Sequence, residues 1–374
     1  MKKIRYAVIG LGHIAQTAVL PAFKNAKESS ELYALISRDP TKLKALSKKY
    51  KVPHSFSEDQ FDECLKSCDF DVLYIATPNT DHFKYAKKAA EHGKHVICEK
   101  PLTTSVEQCK QLNTTVTKNK IKFMVAYRLH FDPANLRAIE IAHSKQFGKI
   151  RLFNSVFSYQ LGDRNNIRLQ RNKGGGPLND IGIYCINAAR YLFKAEPIEV
   201  SALSATNPND PRFKEVPEML SVTMRFSEER LAQFTCSFGA TDCSSYSVFG
   251  TQGTVTLDSA YDYAEPMELT TTIGEKTKTI KFKKHDQFAA ELLYFSNCVL
   301  KNQNPQPSVL EGLNDLLVIQ AIENSIKHKR PMTVEKYLEP KKRPSVQQKK
   351  MVLPPVLKSQ ITHVHVTNPS GTLD

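Results

Sequence analysis

The sequence predicts an α/β chain in two parts. A doubly wound parallel sheet comes first, and an α+β region with a large, mostly antiparallel sheet follows. Three observations predict this. Short apolar, β-rich runs alternate with helical patterns through the first third. A glycine-rich turn follows the first of those runs. From about residue 126 the alternation stops and strands of period two take over. The chain has 374 residues, enough for two domains, and is 41% apolar, enough for two cores. The expected division is 1–126, 127–337 and a basic tail over 338–374.

The first strand is expected at residues 4–9 and leads into Gly10-Leu11-Gly12-His13-Ile14-Ala15. This matches G-x-G-x-x-G/A in the context that gives the motif meaning, after a strand and at the start of a helix. Gly10 permits the tight turn. Gly12 lets backbone approach a pyrophosphate, and Ala15 lets the helix pack on the strand. The helix start, with His13 and Ile14, offers N–H groups and a positive dipole end to phosphate. A Rossmann-type dinucleotide domain follows from this. The second strand, 32–36, is followed by Ser37-Arg38. An NAD-preferring site usually puts a carboxylate there. A hydroxyl and a guanidinium instead suit a 2′-phosphate, so NADP is favoured, with NAD as the alternative. Asp39 lies one residue late for the ribose role.

Residues 71–76 form the next buried strand and stop at Thr77-Pro78-Asn79; a helix begins at Asp81-His82 and runs to about His92. Residues 95–98 form another strand, ending at Glu99-Lys100-Pro101. Ligands of open parallel sheets bind beyond the carboxyl ends of the strands. Both polar clusters are therefore expected beside a nicotinamide. A helix over 105–117 and a strand over 122–126 complete the unit.

One helix near 133–146 opens the second part. Leu220, Val222, Met224 and Phe226 then alternate with polar residues, as do Ala232, Phe234, Cys236 and Phe238, with a hairpin turn at 227–230. Further strands are expected at 150–159, 199–205, 246–249, 254–257, 267–272 and 277–282, and helices at 287–301 and 311–327. One sheet face is apolar, and the other is expected to form a homodimer or homotetramer interface. Within this part lies Gly174-Gly175-Gly176-Pro177-Leu178-Asn179-Asp180-Ile181-Gly182-Ile183-Tyr184. The glycines make a loop able to approach a ligand, and Pro177 suits the first helical position. Asp180 and Tyr184, four apart, share a helix face and can act together in proton transfer. Their plainer role is a first-turn carboxylate and a packing ring.

Composition excludes several classes. The net charge is +14, but the lysines are spread over helical faces, so no nucleic-acid partner is expected. No apolar run reaches membrane-spanning length. Few residues precede Tyr6-Ala7-Val8-Ile9, which leaves no room for an export leader, and a cytoplasmic location is expected. The eight cysteines contain no Cys-x-x-Cys pair, so no metal or disulfide framework is expected.

Taken together, GLGHIA, ATPN with His82, EKP, Ala126-Tyr127-Arg128 and GGGPLNDIGIY resemble the glucose-fructose oxidoreductase/inositol dehydrogenase (Gfo/Idh/MocA) family over residues 4–337. Tyr184, where much of the family has His, is similar to the glucose-fructose oxidoreductase branch, as are 127–130, 167–171 and 207–213. Secreted members carry a long leader and a proline-rich arm, and neither is expected here. The resemblance implies Lys100 and Tyr184 as catalytic pair, Asp180 positioning a sugar, Arg168 at the substrate, and His82, Tyr127 and Arg128 at the cofactor. It also implies a cis peptide before Pro101. Tyr184 would take the hydroxyl proton; a phenol ordinarily titrates near 10, and Lys100 would supply the cation that eases this. The implied activity is NADP-dependent oxidation or reduction of a sugar or cyclic polyol. The alternatives are a dihydrodiol or anhydro-sugar dehydrogenase and a non-catalytic NADP-sensing regulator.

Overall fold

A computed structural model describes residues 2–336 and Val364. The described residues form two compact units, one drawn from Met1–Phe131 and His285–Leu313, the other from Asp132–Lys284 and Asn314–Glu339.

The first unit holds a six-stranded parallel sheet. Its strands are β1 (Ile4–Ile9), β2 (Ser30–Ser37), β3 (His54–Ser57), β4 (Val72–Ile75), β5 (His95–Cys98) and β6 (Phe123–Val125), in the order β3-β2-β1-β4-β5-β6. Order reverses between β1 and β4, which is the switch point of a doubly wound sheet. Every residue of β4 is buried, as expected of a strand covered on both faces. The helices are α1 (Leu20–Asn25), α2 (Pro40–Tyr50), α3 (Phe61–Ser67), α4 (His82–Glu91) and α5 (Val106–Asn119). β3 and α3 carry too few apolar residues to stand out in the sequence and were not expected. The helix after the glycine motif begins with a π-turn over Ala15–Val19 before α1.

The second unit opens with α6 (Pro133–Ala142). β7 (Ile150–Ser158) and α7 (Ile183–Phe193) follow, then β8 (Pro197–Ala205), β9 (Met219–Phe226), β10 (Arg230–Ser237), β11 (Cys243–Gly250), β12 (Gly253–Asp258), β13 (Met267–Ile273) and β14 (Lys276–Phe282). Helix α8 (Gln287–Leu300) lies in the first unit, where Tyr6 and Ser30 hydrogen-bond Ser296 at 2.7 and 2.8 Å. The division falls within α9 (Val309–His328); β15 (Met332–Thr333) then ends the nine-stranded sheet, ordered β14-β13-β12-β11-β7-β10-β9-β8-β15. All its pairings are antiparallel except β7 with β10. The core of this unit contains a buried ion pair of Arg190 with Asp315, both side chains 0% exposed. Glu196 and Asn187 complete their hydrogen bonds. Breaking such a pair from one side costs about 3–5 kcal/mol.

Among the described residues no helix is long and apolar enough to cross a membrane. The tail expected over 338–374 lies outside the described residues, except for Val364. Its N–H and C=O pair with the Gln16 carboxamide at 2.9 and 3.0 Å.

Candidate functional site

Each unit carries a polar cluster of its own. In the first, β1 ends at Ile9 and the chain turns at Gly10 with φ 90°. A Cβ there would lie 2.5 Å from the carbonyl oxygen of Ala76, just past β4. The turn is thus wedged into the switch point. Gly12 differs: a Cβ on it would meet nothing within 4 Å. Its missing side chain relieves no clash inside the protein and leaves open space beside the helix start, where His13 and Ile14 lie. That is the fit a pyrophosphate requires.

The strand-end clusters meet through His82, but not as expected. His82 was expected to face a cofactor. Instead it is 0% exposed, with Nδ1 2.8 Å from the Pro101 carbonyl and Nε2 3.0 Å from that of Thr77. It clasps the Thr77-Pro78-Asn79 segment to the Glu99-Lys100-Pro101 segment. Burial holds its pKa below the ordinary value, although both carbonyls oppose this. The Lys100-Pro101 peptide is cis. Glu99 is 9% exposed and accepts a hydrogen bond from Tyr74 at 2.9 Å. Burial raises the Glu99 carboxyl, against the pull of Lys100, Tyr74 and Arg128. Arg128, expected at the cofactor, is 5% exposed and donates to Gln287 of α8 at 2.8 Å. Tyr127 stacks on His130 with ring centroids 5.5 Å apart.

At the end of β2, Asp39 caps α2 by accepting from the Thr41 and Lys42 N–H groups, so its late position is explained by a structural role. Ser37 is buried and its Oγ accepts from the Asp39 N–H at 3.1 Å. Arg38 is exposed and forks onto Glu58.

In the second unit, Pro177 precedes a π-turn over Leu178–Gly182 that runs into α7. Such turns are frequent at functional sites. Gly182 brings this turn close to β10, since a Cβ would lie 3.1 Å from Cys236 Sγ. Asp180 Oδ2 accepts from Arg168 Nε at 2.8 Å and from Tyr159 Oη at 3.0 Å. Burial and the Asp180 charge push the Tyr159 phenol well up, so it stays a donor. Burial works against the Arg168 cation, but Asp180 and Tyr159 outweigh it and raise its pKa. Arg168 was expected to bind substrate; here its Nε holds Asp180. The triple glycine serves the same end. A Cβ on Gly175 would lie 2.4 Å from the Arg168 carbonyl, and the Gly176 N–H donates to that carbonyl at 2.8 Å. The close approach that these glycines permit is to the chain's own backbone. Tyr184 packs edge-on to Phe157 with centroids 5.7 Å apart and lies 6.1 Å from Tyr261.

Sequence reasoning missed Tyr159. Its place just beyond β7 gives no motif. The nearest signal is Arg212, within the noted 207–213 stretch, which pairs with Asp210 and donates to Gln160 and Leu161, the two residues after Tyr159.

Comparison with known proteins agrees with this architecture. Residues 4–127 match the model of the oxidoreductase family with NAD-binding Rossmann fold, and 135–256 match the GFO/IDH/MocA C-terminal domain. The chain belongs to this family. An aldose-aldose oxidoreductase from Caulobacter crescentus, solved with glycerol, is 34% identical at TM-score 0.85, covering 89% of this chain and 100% of that one. A D-xylose 1-dehydrogenase [NADP(+)] from Haloarcula marismortui is 29% identical over 326 residues, 85% of this chain and 90% of that protein. A trans-1,2-dihydrobenzene-1,2-diol dehydrogenase from Danio rerio is 26% identical over 255 residues, 67% and 73% of the two chains.

Proposed function

We propose that the chain is an NADP-dependent oxidoreductase acting on the carbinol of a sugar or cyclic polyol, with NAD as a second cofactor. The observation that carries this reading is the contrast at the glycine turn. Gly10 is demanded by the Ala76 carbonyl, whereas Gly12 is demanded by nothing in the protein and fits a pyrophosphate. The sugar half is supported by the relatives named above and by Asp180, a carboxylate held in place by two donors.

When bound, the nicotinamide dinucleotide supplies the two-electron acceptor. Gly10, Gly12, His13 and Ile14 would hold its pyrophosphate, and Thr77, Pro78, Asn79 and Glu99 would border its ring. Lys100 and Tyr184 serve as the catalytic pair. As the carbinol is oxidised, its carbon gives up a hydride and its hydroxyl gives up a proton to Tyr184. Asp180 accepts hydrogen bonds from sugar hydroxyls. The protein acts in the cytoplasm as a homodimer or homotetramer through the nine-stranded sheet, which light scattering on the purified protein checks.

The deciding experiment is turnover on a panel of aldoses, polyols and one aromatic dihydrodiol, comparing the parent with Lys100→Met. The variant should lose about 100-fold or more in kcat while still binding NADPH. Equal turnover would overturn the assignment of Lys100. Dinucleotide binding by the parent without turnover on any substrate would favour a sensor.

A further inference from the structure

Arg38 follows β2 at the position where a 2′-phosphate reader is expected, yet two carboxylates surround it. The register of the sheet brings this about. Ser37 on β2 pairs with Ser57 on β3, so the next residues, Arg38 and Glu58, emerge side by side. Arg38 Nε and Nη2 donate to the two oxygens of Glu58 at 2.8 and 3.0 Å, and Nη2 also reaches Asp81 Oδ2 at 3.2 Å. This uses the Nε–Nη2 edge of the guanidinium, one of the two edges that can pair with a phosphate through two hydrogen bonds. Among the described residues Nη1 has no partner.

Glu58 is the fixed member of the pair. Its side chain is 19% exposed against 59% for Arg38, and the Tyr85 hydroxyl also donates to it. Burial raises the Glu58 carboxyl, but Arg38 and Tyr85 outweigh this and hold it below the usual range. If Arg38 swung away, Glu58 would keep only the charge of Lys84, which sits by the Tyr85 hydroxyl and, among the described residues, makes no direct ion pair with Glu58, a costly exchange for a carboxylate 19% exposed. Arg38 therefore stays with Glu58 and presents its outer Nη1 end. A 2′-phosphate docking there meets one cation and two nearby anions. A 2′-hydroxyl feels no such repulsion.

We propose that Glu58, assisted by Asp81, is a specificity-determining residue that narrows the preference for NADP over NAD, so that both dinucleotides are used. This rests on the nucleotide half of the proposed function.

The test needs no sugar. NADPH and NADH are titrated into the purified protein, following nicotinamide fluorescence. The parent should bind NADPH more tightly, by no more than about a hundredfold. Glu58→Gln keeps a carbonyl to hold Arg38 and removes one charge. It should raise the ratio of the NADH Kd to the NADPH Kd about three- to tenfold. Asp81→Asn should raise it less, and it decides the matter if Glu58→Gln does not fold. A ratio unchanged or lowered in the folded variants overturns the proposal, as does a parent preference above about a hundredfold. Failure of the parent to bind either nucleotide would instead remove the reading beneath it.

Discussion

The two units build their clusters from different materials. In the first unit backbone does most of the shaping: a glycine turn against the Ala76 carbonyl, strand ends in register, and His82 with one ring nitrogen against each of two carbonyls. In the second unit side chains do it. Asp180 is held by Tyr159 and Arg168, 21 and 12 residues away in sequence. A backbone-built cluster depends on conformations that few residues can adopt, so it leaves a readable motif. A side-chain cluster depends only on which elements come together, and it leaves much less.

The sharpest way to break this contrast is at the glycines. Gly10→Ala places a side chain at φ 90° and against the Ala76 carbonyl, and should destabilise the fold by about 1–3 kcal/mol or more. Gly12→Ala meets no atom within 4 Å and should leave the denaturation midpoint unmoved while weakening NADPH binding roughly tenfold. If both variants lose stability equally, Gly12 has a packing role and the fit to a pyrophosphate loses its support.

The second unit is probed by Tyr159→Phe, which removes one hydrogen bond to a charged acceptor and keeps the ring. Such bonds are worth about 1.5–3 kcal/mol, so kcat/KM for the sugar should fall about tenfold or more while the NADPH Kd stays put. Loss of NADPH binding instead would show that Tyr159 acts beyond Asp180.

The smallest effect concerns His82. An unfolded histidine titrates near 6.5, and burial keeps His82 below that in the folded protein. Below pH 6.5 the unfolded chain therefore takes up a proton that the folded protein resists. Stability from this residue is complete above that pH and declines as pH drops toward the folded pKa. The melting temperature should fall by a few degrees between pH 7 and pH 5. His82→Gln should flatten part of that slope; His95 and His143, also lowered by burial, act in the same direction, while Glu99, Asp286 and Glu323, raised by burial, oppose it. A slope identical in the variant would mean that His82 titrates alike in the folded and unfolded states.

Much of the first unit was legible because apolar strands buried on both faces give continuous runs. β1 and β5 came out at their observed bounds. β3 did not, because an edge strand reading His-Ser-Phe-Ser has no such run. Missing β3 hid Glu58, and with it the carboxylates around Arg38. In the second unit the alternation in β9 and β10 was plain, because each presents one face to the core.

The sequence by itself determined the doubly wound sheet, the mostly antiparallel second sheet, the glycine turn and the helix carrying Asp180 and Tyr184. These follow from local periodicity and from conformations open only to glycine and proline. Tertiary structure alone decided that α8 packs with the first sheet, that His82 is a clasp, that Arg38 faces Glu58, and that Arg168 and Tyr159 converge on one oxygen of Asp180. Each of these is a contact between residues of different elements or loops, from 5 residues apart for His82 and Thr77 upward. Hydrogen bonds and ion pairs of that kind depend on where whole elements come to rest, and a side chain's own neighbours in sequence carry no trace of it.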